Sequence, residues 1–292
     1  MKKFRASIDI GSNTVVFLFA HNKKILKRGQ FITSLGLDLD KHKKFSDTPM
    51  AETMKALKEI CTLAKSYNIL PEEIIATATE ASRVATNGEE FYQKVVDQLG
   101  LRVEIIDSDQ EAYYSARGVC FDHGRVSFIC LDIGGASTEF IKKSTSPESF
   151  ESISLPIGSV RLMNWKKEGV DKENIAQVLK SFDFNSFISK EIIGVAGTMT
   201  SICMMVNKIN PFKDSEVNGA KITKSEIEKV YAEIKNLSQS DLLKLYPHLG
   251  KRSRVIKEGL EIVMIAMNKT QAEIIEISTR GVCFGTIDGL NY

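Results

Sequence analysis

Residues 131–140 read LDIGGASTEF: an apolar run ending in aspartate, isoleucine and two adjacent glycines, followed by small hydroxyl residues and a glutamate. Residues 7–19, SIDIGSNTVVFLF, repeat the plan near the start of the chain. Asp9, Gly11, Ser12, Asn13 and Thr14 answer to Asp132, Gly134, Ala136, Ser137 and Thr138, with small shifts in spacing. Two related halves, each opening in a hairpin, are the simplest reading. In each copy glycine lets the backbone turn or approach a ligand closely, and the residues after it present N–H groups and hydroxyls that suit phosphate oxygens. An ordinary hairpin explains either copy alone, because turn glycines are common. It does not explain why an aspartate precedes both.

Outward from these turns, the bulk properties set limits. The chain has 292 residues, 43% of them hydrophobic, enough for two ordinary domains or one large one. A formal charge of +2 is near balance, so nothing demands nucleic acid as a partner, although a local basic groove stays open. The apolar run after the basic N-terminus is broken by Asp9, Gly11 and Asn13, which argues for a mature strand there rather than a signal peptide. No apolar run approaches the roughly 20 residues of a membrane span. Cys61, Cys120, Cys130, Cys203 and Cys283 are odd in number, scattered and without CxxC pairs, so a disulfide framework or zinc site is not expected and a reducing, cytoplasmic location is.

Strand signals at 5–10, 14–20 and 25–32 predict an opening meander, and the proline-containing start at 46–49 predicts a helix whose apolar face carries Met54, Leu57, Ile60, Cys61 and Ala64. Strands at 74–79 and 103–106 and helices at 89–99 and 109–118 follow. A second meander is expected from 126–133 through 139–142 and 152–155. Then come a strand at 192–195, helices at 198–206, 222–237 and 254–268, and a last strand at 274–277. The alternation predicts an α/β fold. With no Pro/Gly linker, the domain boundary is expected near 118–124: an N-terminal domain of residues 1–120 with 283–292, and a C-terminal domain of residues 121–282.

Four further places suit chemistry. Glu111 lies in DSDQE, after a strand and at a helix start, where open α/β sheets bind ligands; it suits a water-activating base, or an acid complementing the helix dipole. Arg83 follows the strand end TATEAS and suits phosphate oxygens, or a solvated helix surface. Gly197 and Thr198, in GVAGTMT, suit a nucleotide or phosphate at a helix start, or a close-packed turn. Lys251, Arg252 and Arg254 form a short basic cluster: a solvated face, or the lining of a polyanion groove. GxxxxGK[ST], GxGxxG, GxSxG and HExxH are all missing, which lowers the weight of P-loop, dinucleotide, serine hydrolase and zinc peptidase chemistry.

In this order, SIDIGSNT, TATEASRVATN, DSDQEAYYSARGV, LDIGGASTEF, SLPIGSVRL and GVAGTMTSI resemble the Ppx/GppA phosphatases, which are exopolyphosphatases and guanosine pentaphosphate phosphohydrolases of the actin and sugar kinase superfamily. The likeness runs from Ser7 to Gly289. It implies two ribonuclease-H-like domains flanking a cleft, in a short form without the additional C-terminal helical domains of longer members. It implies Glu111 as general base, Asp132 and Glu139 as carboxylates that position Mg²⁺ (or Mn²⁺) and water, and Arg83, the arginine after TSAL or TNTL in the family, as a phosphate clamp. The phosphate loops fall on Gly11–Thr14, with Asp9 before them, and on Gly134, Gly135, Ala136 and Ser137. Three departures stand out: Ala136 replaces the last glycine of GGGST, and Ser108 and Gln110 replace a glycine and a glutamate of the acidic motif.

The expected chemistry is removal of a terminal phosphoryl group from inorganic polyphosphate or guanosine pentaphosphate, the latter a stringent-response nucleotide, by water that Glu111 activates. Polyphosphate would want a basic groove, for which Lys251, Arg252 and Arg254 are candidates; the nucleotide would want a base pocket, near Gly197 and Thr198. No nucleic acid or membrane partner is expected, and the resemblance points to a homodimer. A small-molecule kinase of the same superfamily, or a non-catalytic nucleotide-binding relative, are the alternatives.

Overall fold

A computed structural model describes residues 4–22, 24–121, 127–145, 150–169, 178 and 180–288. The expected strand start at 126, much of the expected boundary at 118–124, and Gly289 at the end of the resemblance lie outside the described residues. The chain forms two compact units, one running to Phe121 and resuming at Val282, the other spanning Asp122–Gly281.

The first unit opens with β1 (Phe4–Ile10), β2 (Thr14–His21) and β3 (Lys24–Ile32), an antiparallel meander. β4 (Ile74–Ala78) and β5 (Val103–Ile105) add to it in parallel, giving the order β3-β2-β1-β4-β5. Alternation along β1 sends Ala6, Ile8 and Ile10 into the main core of this unit, while Ser7 lies on the other face, where its Oγ is 2.7 Å from Thr286 Oγ1. That second face is covered by the returning helix Val282–Asp288, with Cys283, Phe284 and Ile287 packed on Leu18 and Ala20. Helix Asp47–Lys65 buries Thr53, Ala56, Leu57, Ile60, Cys61 and Ala64, the three-and-four spacing that the sequence showed.

The second unit has the same plan. β6 (Phe128–Ile133), β7 (Thr138–Lys143) and β8 (Phe150–Leu155) form the meander; β9 (Glu191–Val195) and β11 (Ile274–Ile277) extend it in parallel, and β10 (Lys221–Thr223) closes the edge. Its order, β10-β11-β9-β6-β7-β8, contains the order of the first sheet, so the echo in the sequence is an echo of topology, in two ribonuclease-H-like units. Helices Ala196–Val206, Lys224–Ile234 and Ile256–Thr270 contribute Ile202, Ile227 and Leu260 to one continuous core with Leu131 and Phe140.

Among the helix boundaries that differ from expectation, two have a clear local cause. The helix expected over 222–237 begins at Lys224, because Ile222 pairs with Ile275 in the sheet and Thr223 caps the helix: Thr223 Oγ1 accepts from Glu226 N at 3.3 Å and Thr223 N donates to Glu226 Oε2 at 2.8 Å. The helix expected over 254–268 is Ile256–Thr270, preceded by tight turns over Pro247–Arg254 in which Gly250 takes a φ of 49°. Among the described residues, no helix is long and apolar enough to cross a membrane.

Candidate active site

In the first unit, the parallel neighbours β1, β4 and β5 bring three strand ends side by side. Asp9 is in register with Thr77, Thr79 N donates to Ile10 O at 3.3 Å, and Ile106 N donates to Ala78 O at 3.0 Å. After β1 comes the turn at Gly11, Ser12 and Asn13; after β4 the short helix Glu80–Val84 with Arg83; after β5 the helix Ser108–Cys120 with Glu111. Ligand chemistry in open α/β sheets collects at such carboxyl ends.

The turn is braced from behind. Gly11 N donates to Thr14 O at 3.0 Å, Gly36 N to Ser12 O at 2.7 Å, and Thr33 N and Ser34 N to Asn13 O at 3.1 and 3.0 Å. In a trans peptide the carbonyl of one residue and the N–H of the next point opposite ways. With the Ser12 and Asn13 carbonyls held by 33–36, the N–H groups of Asn13 and Thr14 face away from that brace.

Glu111, 9% exposed, sits in the first turn of its helix. Gln110, a departure at the sequence level, has a local role there: with Asp107 it forms a capping box, Gln110 N donating to Asp107 Oδ1 at 2.8 Å and Asp107 N to Gln110 Oε1 at 3.0 Å. Arg83 reaches Glu111 Oε2 through Nη2 at 3.1 Å and donates from Nη1 to Ile106 O at 2.6 Å. Its Nη2 and Nε also donate to Glu80 Oε2 at 3.0 and 3.3 Å. Burial opposes the charge of the guanidinium, but Glu111 and Glu80 outweigh it and hold the Arg83 pKa above its ordinary value. Ser82 Oγ and the buried Tyr92 hydroxyl, 2.6 Å apart, pin the short helix that carries Arg83.

In the second unit, Asp132 and Glu139 face each other across β6 and β7, and Glu139 is in register with Ser154 on β8. Opposed residues of adjacent strands share a sheet face, so the two carboxylates are neighbours, 8% and 1% exposed. Ser154 Oγ donates to Glu139 Oε1 at 2.9 Å, fixing that carboxylate. In the first unit the partner of Asp9 is Val16, so only the second unit holds the pair. Among the described residues no group of three or more acidic, histidine or cysteine side chains could hold a metal. Two hard oxygen donors suit Mg²⁺ or Mn²⁺, which keep water and substrate oxygens in their remaining positions.

The second turn is braced more heavily than the first. Gly134 N donates to Ser137 O at 3.0 Å, the analogue of the Gly11 bond. Behind it stands helix Ser159–Lys167: Ser159 N donates to Gly134 O at 3.0 Å, and Val160 N and Arg161 N to Gly135 O at 2.8 and 3.0 Å. Arg161 Nη1 donates to Ala136 O at 2.7 Å. Three successive carbonyls therefore point to this helix, and the N–H groups of Gly135, Ala136 and Ser137 point the other way, as an anion cradle requires. Gly158 makes the approach possible: a Cβ there would lie 2.3 Å from Gly135 C. Ala136 is not among the residues with positive φ, so alanine in place of glycine introduces no left-handed strain.

The remaining candidates form a third cluster, also in the second unit. Helix Ala196–Val206 starts after β9 with Ala196 at φ 69°. Arg252, 7% exposed, lies on the Gly197 peptide and donates from Nη1 to Gly197 O at 2.9 Å and Ser201 Oγ at 3.2 Å. Burial pushes its pKa down to about 10. A Cβ at Gly197 would lie 2.1 Å from Arg252 Nη2, and one at Gly259 would lie 2.6 Å from Thr198 Cγ2. The guanidinium thus fills the space beside Gly197, while Lys251 and Arg254 are exposed.

Sequence reasoning singled out Asp9, the two turns, Arg83, Glu111, Asp132 and Glu139, and each lies, within its own unit, in or beside a turn at a strand end or in the helix that follows a strand. It missed Glu80, Gly36, Ser154, Gly158, Ser159 and Arg161. The only trace of the last four was the motif SLPIGSVRL, which carried no assigned role.

Comparison with known proteins follows the same outline. The Ppx/GppA phosphatase family matches residues 15–291. A bifunctional 3-dehydroquinate synthase/phosphatase of Fusobacterium nucleatum subsp. nucleatum is 30% identical across 97% of this chain; the chain spans 46% of that relative's length. A Ppx/GppA family member from Aquifex aeolicus superimposes with a TM-score of 0.76 at 27% identity, covering 98% of this chain and 97% of that one. An exopolyphosphatase from Cytophaga hutchinsonii shares the fold, with a TM-score of 0.86 at 18% identity and 99% coverage of both chains. Braced glycine turns, an opposed carboxylate pair and a strand-end glutamate held by arginine thus sit in a chain that belongs to the Ppx/GppA phosphatase family.

Proposed function

We propose that this protein is a phosphoanhydride hydrolase that removes the terminal phosphoryl group of inorganic polyphosphate. The observation that carries this reading is the second turn with its opposed carboxylates: three N–H groups turned outward beside Asp132 and Glu139, a place for phosphate oxygens next to a place for a hard cation. Phosphoryl transfer needs chiefly positioning and charge stabilisation, which such a place supplies.

In this reading Glu111 orients the attacking water and takes its proton, and Arg83 keeps the Glu111 carboxylate aligned while offering charge to phosphate oxygens. The outward N–H groups of each turn suit phosphate oxygens. Asp132 and Glu139 hold Mg²⁺ or Mn²⁺, which when bound offsets charge on the phosphate oxygens. Ser154 keeps Glu139 in the orientation that serves this.

Guanosine pentaphosphate is the second substrate. The filling of the space beside Gly197 by Arg252 favours polyphosphate, because a base pocket at Gly197 and Thr198 would first have to displace a buried guanidinium. Lys251 and Arg254 are exposed cations that a polyanion could meet, whereas Arg252 serves as an internal brace. The five free cysteines fit a reducing, cytoplasmic setting, and the oligomer proposed is a homodimer.

Phosphate release from long-chain polyphosphate and from guanosine pentaphosphate, side by side and with and without Mg²⁺, tests the reading. Faster metal-dependent release from polyphosphate supports it. Turnover that requires ATP and a small acceptor would replace it with a kinase.

A further inference from the structure

Arg83 is fully engaged in a way that a phosphate clamp should not be. A guanidinium offers two flat edges for bidentate contact, one through Nε and Nη2 and one through Nη1 and Nη2. Glu80 Oε2 takes the first, accepting from Nη2 at 3.0 Å and Nε at 3.3 Å. On the second, Nη1 donates to Ile106 O at 2.6 Å and Nη2 to Glu111 Oε2 at 3.1 Å. An incoming phosphate can fork onto Arg83 only by displacing one of these acceptors.

The two carboxylates are not equivalent. Displacing Glu111 would turn the water-activating group away from its brace, whereas displacing Glu80 opens a whole edge and leaves the Glu111 contact in place. Glu80 is also the easier to release: its side chain is 21% exposed against 12% for Glu111, and it pairs with Arg83 from three residues away on the same short helix. That helix need not move. Ser82 N donates to Thr79 O at 2.8 Å, and Ser82 Oγ is tied to Tyr92 at 2.6 Å, so the backbone stays anchored when the Glu80 side chain swings to water.

We propose that Glu80 is an internal competitor of the substrate phosphate for Arg83, a side-chain latch that sets substrate affinity in this chain. The inference rests on the phosphatase reading above. Phosphate exchanges with the Glu80 carboxylate on the Nε and Nη2 edge, no covalent bond changes, and the released carboxylate repels the anion that displaced it.

Calorimetric titration with tripolyphosphate, at neutral pH and physiological ionic strength, decides the matter for wild type, E80S, R83A and the double variant E80S/R83A. Relief of one partly exposed, charge-assisted pair should tighten the Kd of E80S by about threefold to tenfold. In the R83A background E80S should change nothing, because the contested edge is gone. Unchanged or weaker binding by E80S overturns the latch. So does equal tightening with and without Arg83, which would mean that Glu80 acts only as bulk negative charge. E80Q, which keeps the size of the side chain, serves if E80S fails to fold and should tighten binding to a smaller extent. Phosphate release by wild type is scored separately: its failure would sink the hydrolase reading, while the titration would still decide the competition for Arg83.

Discussion

Gly158→Ala adds one carbon at the point where helix Ser159–Lys167 meets the second turn. That carbon would lie 2.3 Å from Gly135 C and 2.4 Å from both Ala136 N and Gly135 O, all backbone atoms that cannot rotate away. Ordinary contact needs about 3.5 Å. The turn or the helix must therefore move by roughly 1 Å, and overpacking of this kind costs about 1–3 kcal/mol of stability. The same movement pulls on the bonds from Ser159 N to Gly134 O and from Val160 N to Gly135 O, 3.0 and 2.8 Å long. Misplacement of a binding group by about 1 Å can cost on the order of a hundredfold in rate. The assay is kcat and KM for phosphate release from polyphosphate, beside a circular-dichroism melt. Gly158→Ala should lower kcat/KM by about a hundredfold while staying folded at assay temperature, and Ser159→Ala, which removes only the 3.2 Å side-chain bond to Gly134 O, should lower it by no more than about tenfold. A Gly158→Ala protein with wild-type kcat/KM would show that the brace does not position the turn.

Two further outcomes follow from the second unit. Ser154→Ala removes the donor to Glu139 Oε1, a bond to a charged group worth about 1.5–3 kcal/mol, so the Mg²⁺ concentration for half-maximal release should rise by about tenfold or more; an unmoved metal titration would separate Glu139 from the cation. His248 has its pKa held below the ordinary 6.5, first by burial and against a hydrogen bond with the Ser201 backbone, and its Nε2 is buried without a hydrogen-bond partner. The unfolded state therefore binds the proton first as pH falls below the unfolded value, and stability drops from there down to the folded value, by at most about 1.4 kcal/mol per pH unit. His248→Gln should lose that part of the acid sensitivity in denaturant melts; a slope identical to wild type would mean that His248 is not its source.

The turns were legible because aspartate, glycine and small hydroxyl residues at a strand end have few other local uses, and because the chain carries them twice. The Asp132 and Glu139 pairing follows from the same stretch once β6 and β7 form a hairpin, since the register sets the two residues opposite each other. Other features depend on distant contacts that leave little local trace. Arg252 sits in a basic cluster that reads as solvated, yet it is buried on a peptide 55 residues away in sequence. The brace from Ser159, Val160 and Arg161 acts mostly through backbone carbonyls, for which almost any residue would read alike; only Gly158 betrays the close approach. Glu80 reads as an ordinary helix-start acid. That it shares the Arg83 guanidinium with Glu111 appears only when Arg83 is seen between the two.

The most direct test of the central claim is phosphate release from long-chain polyphosphate by wild type and Glu111→Gln, each with and without Mg²⁺. Removing a water-activating base costs at least about a hundredfold in rate. The account predicts metal-dependent release by wild type and at least that loss in Glu111→Gln, with polyphosphate binding retained. Release that persists unchanged in the variant, or none by wild type from polyphosphate or guanosine pentaphosphate, would contradict it.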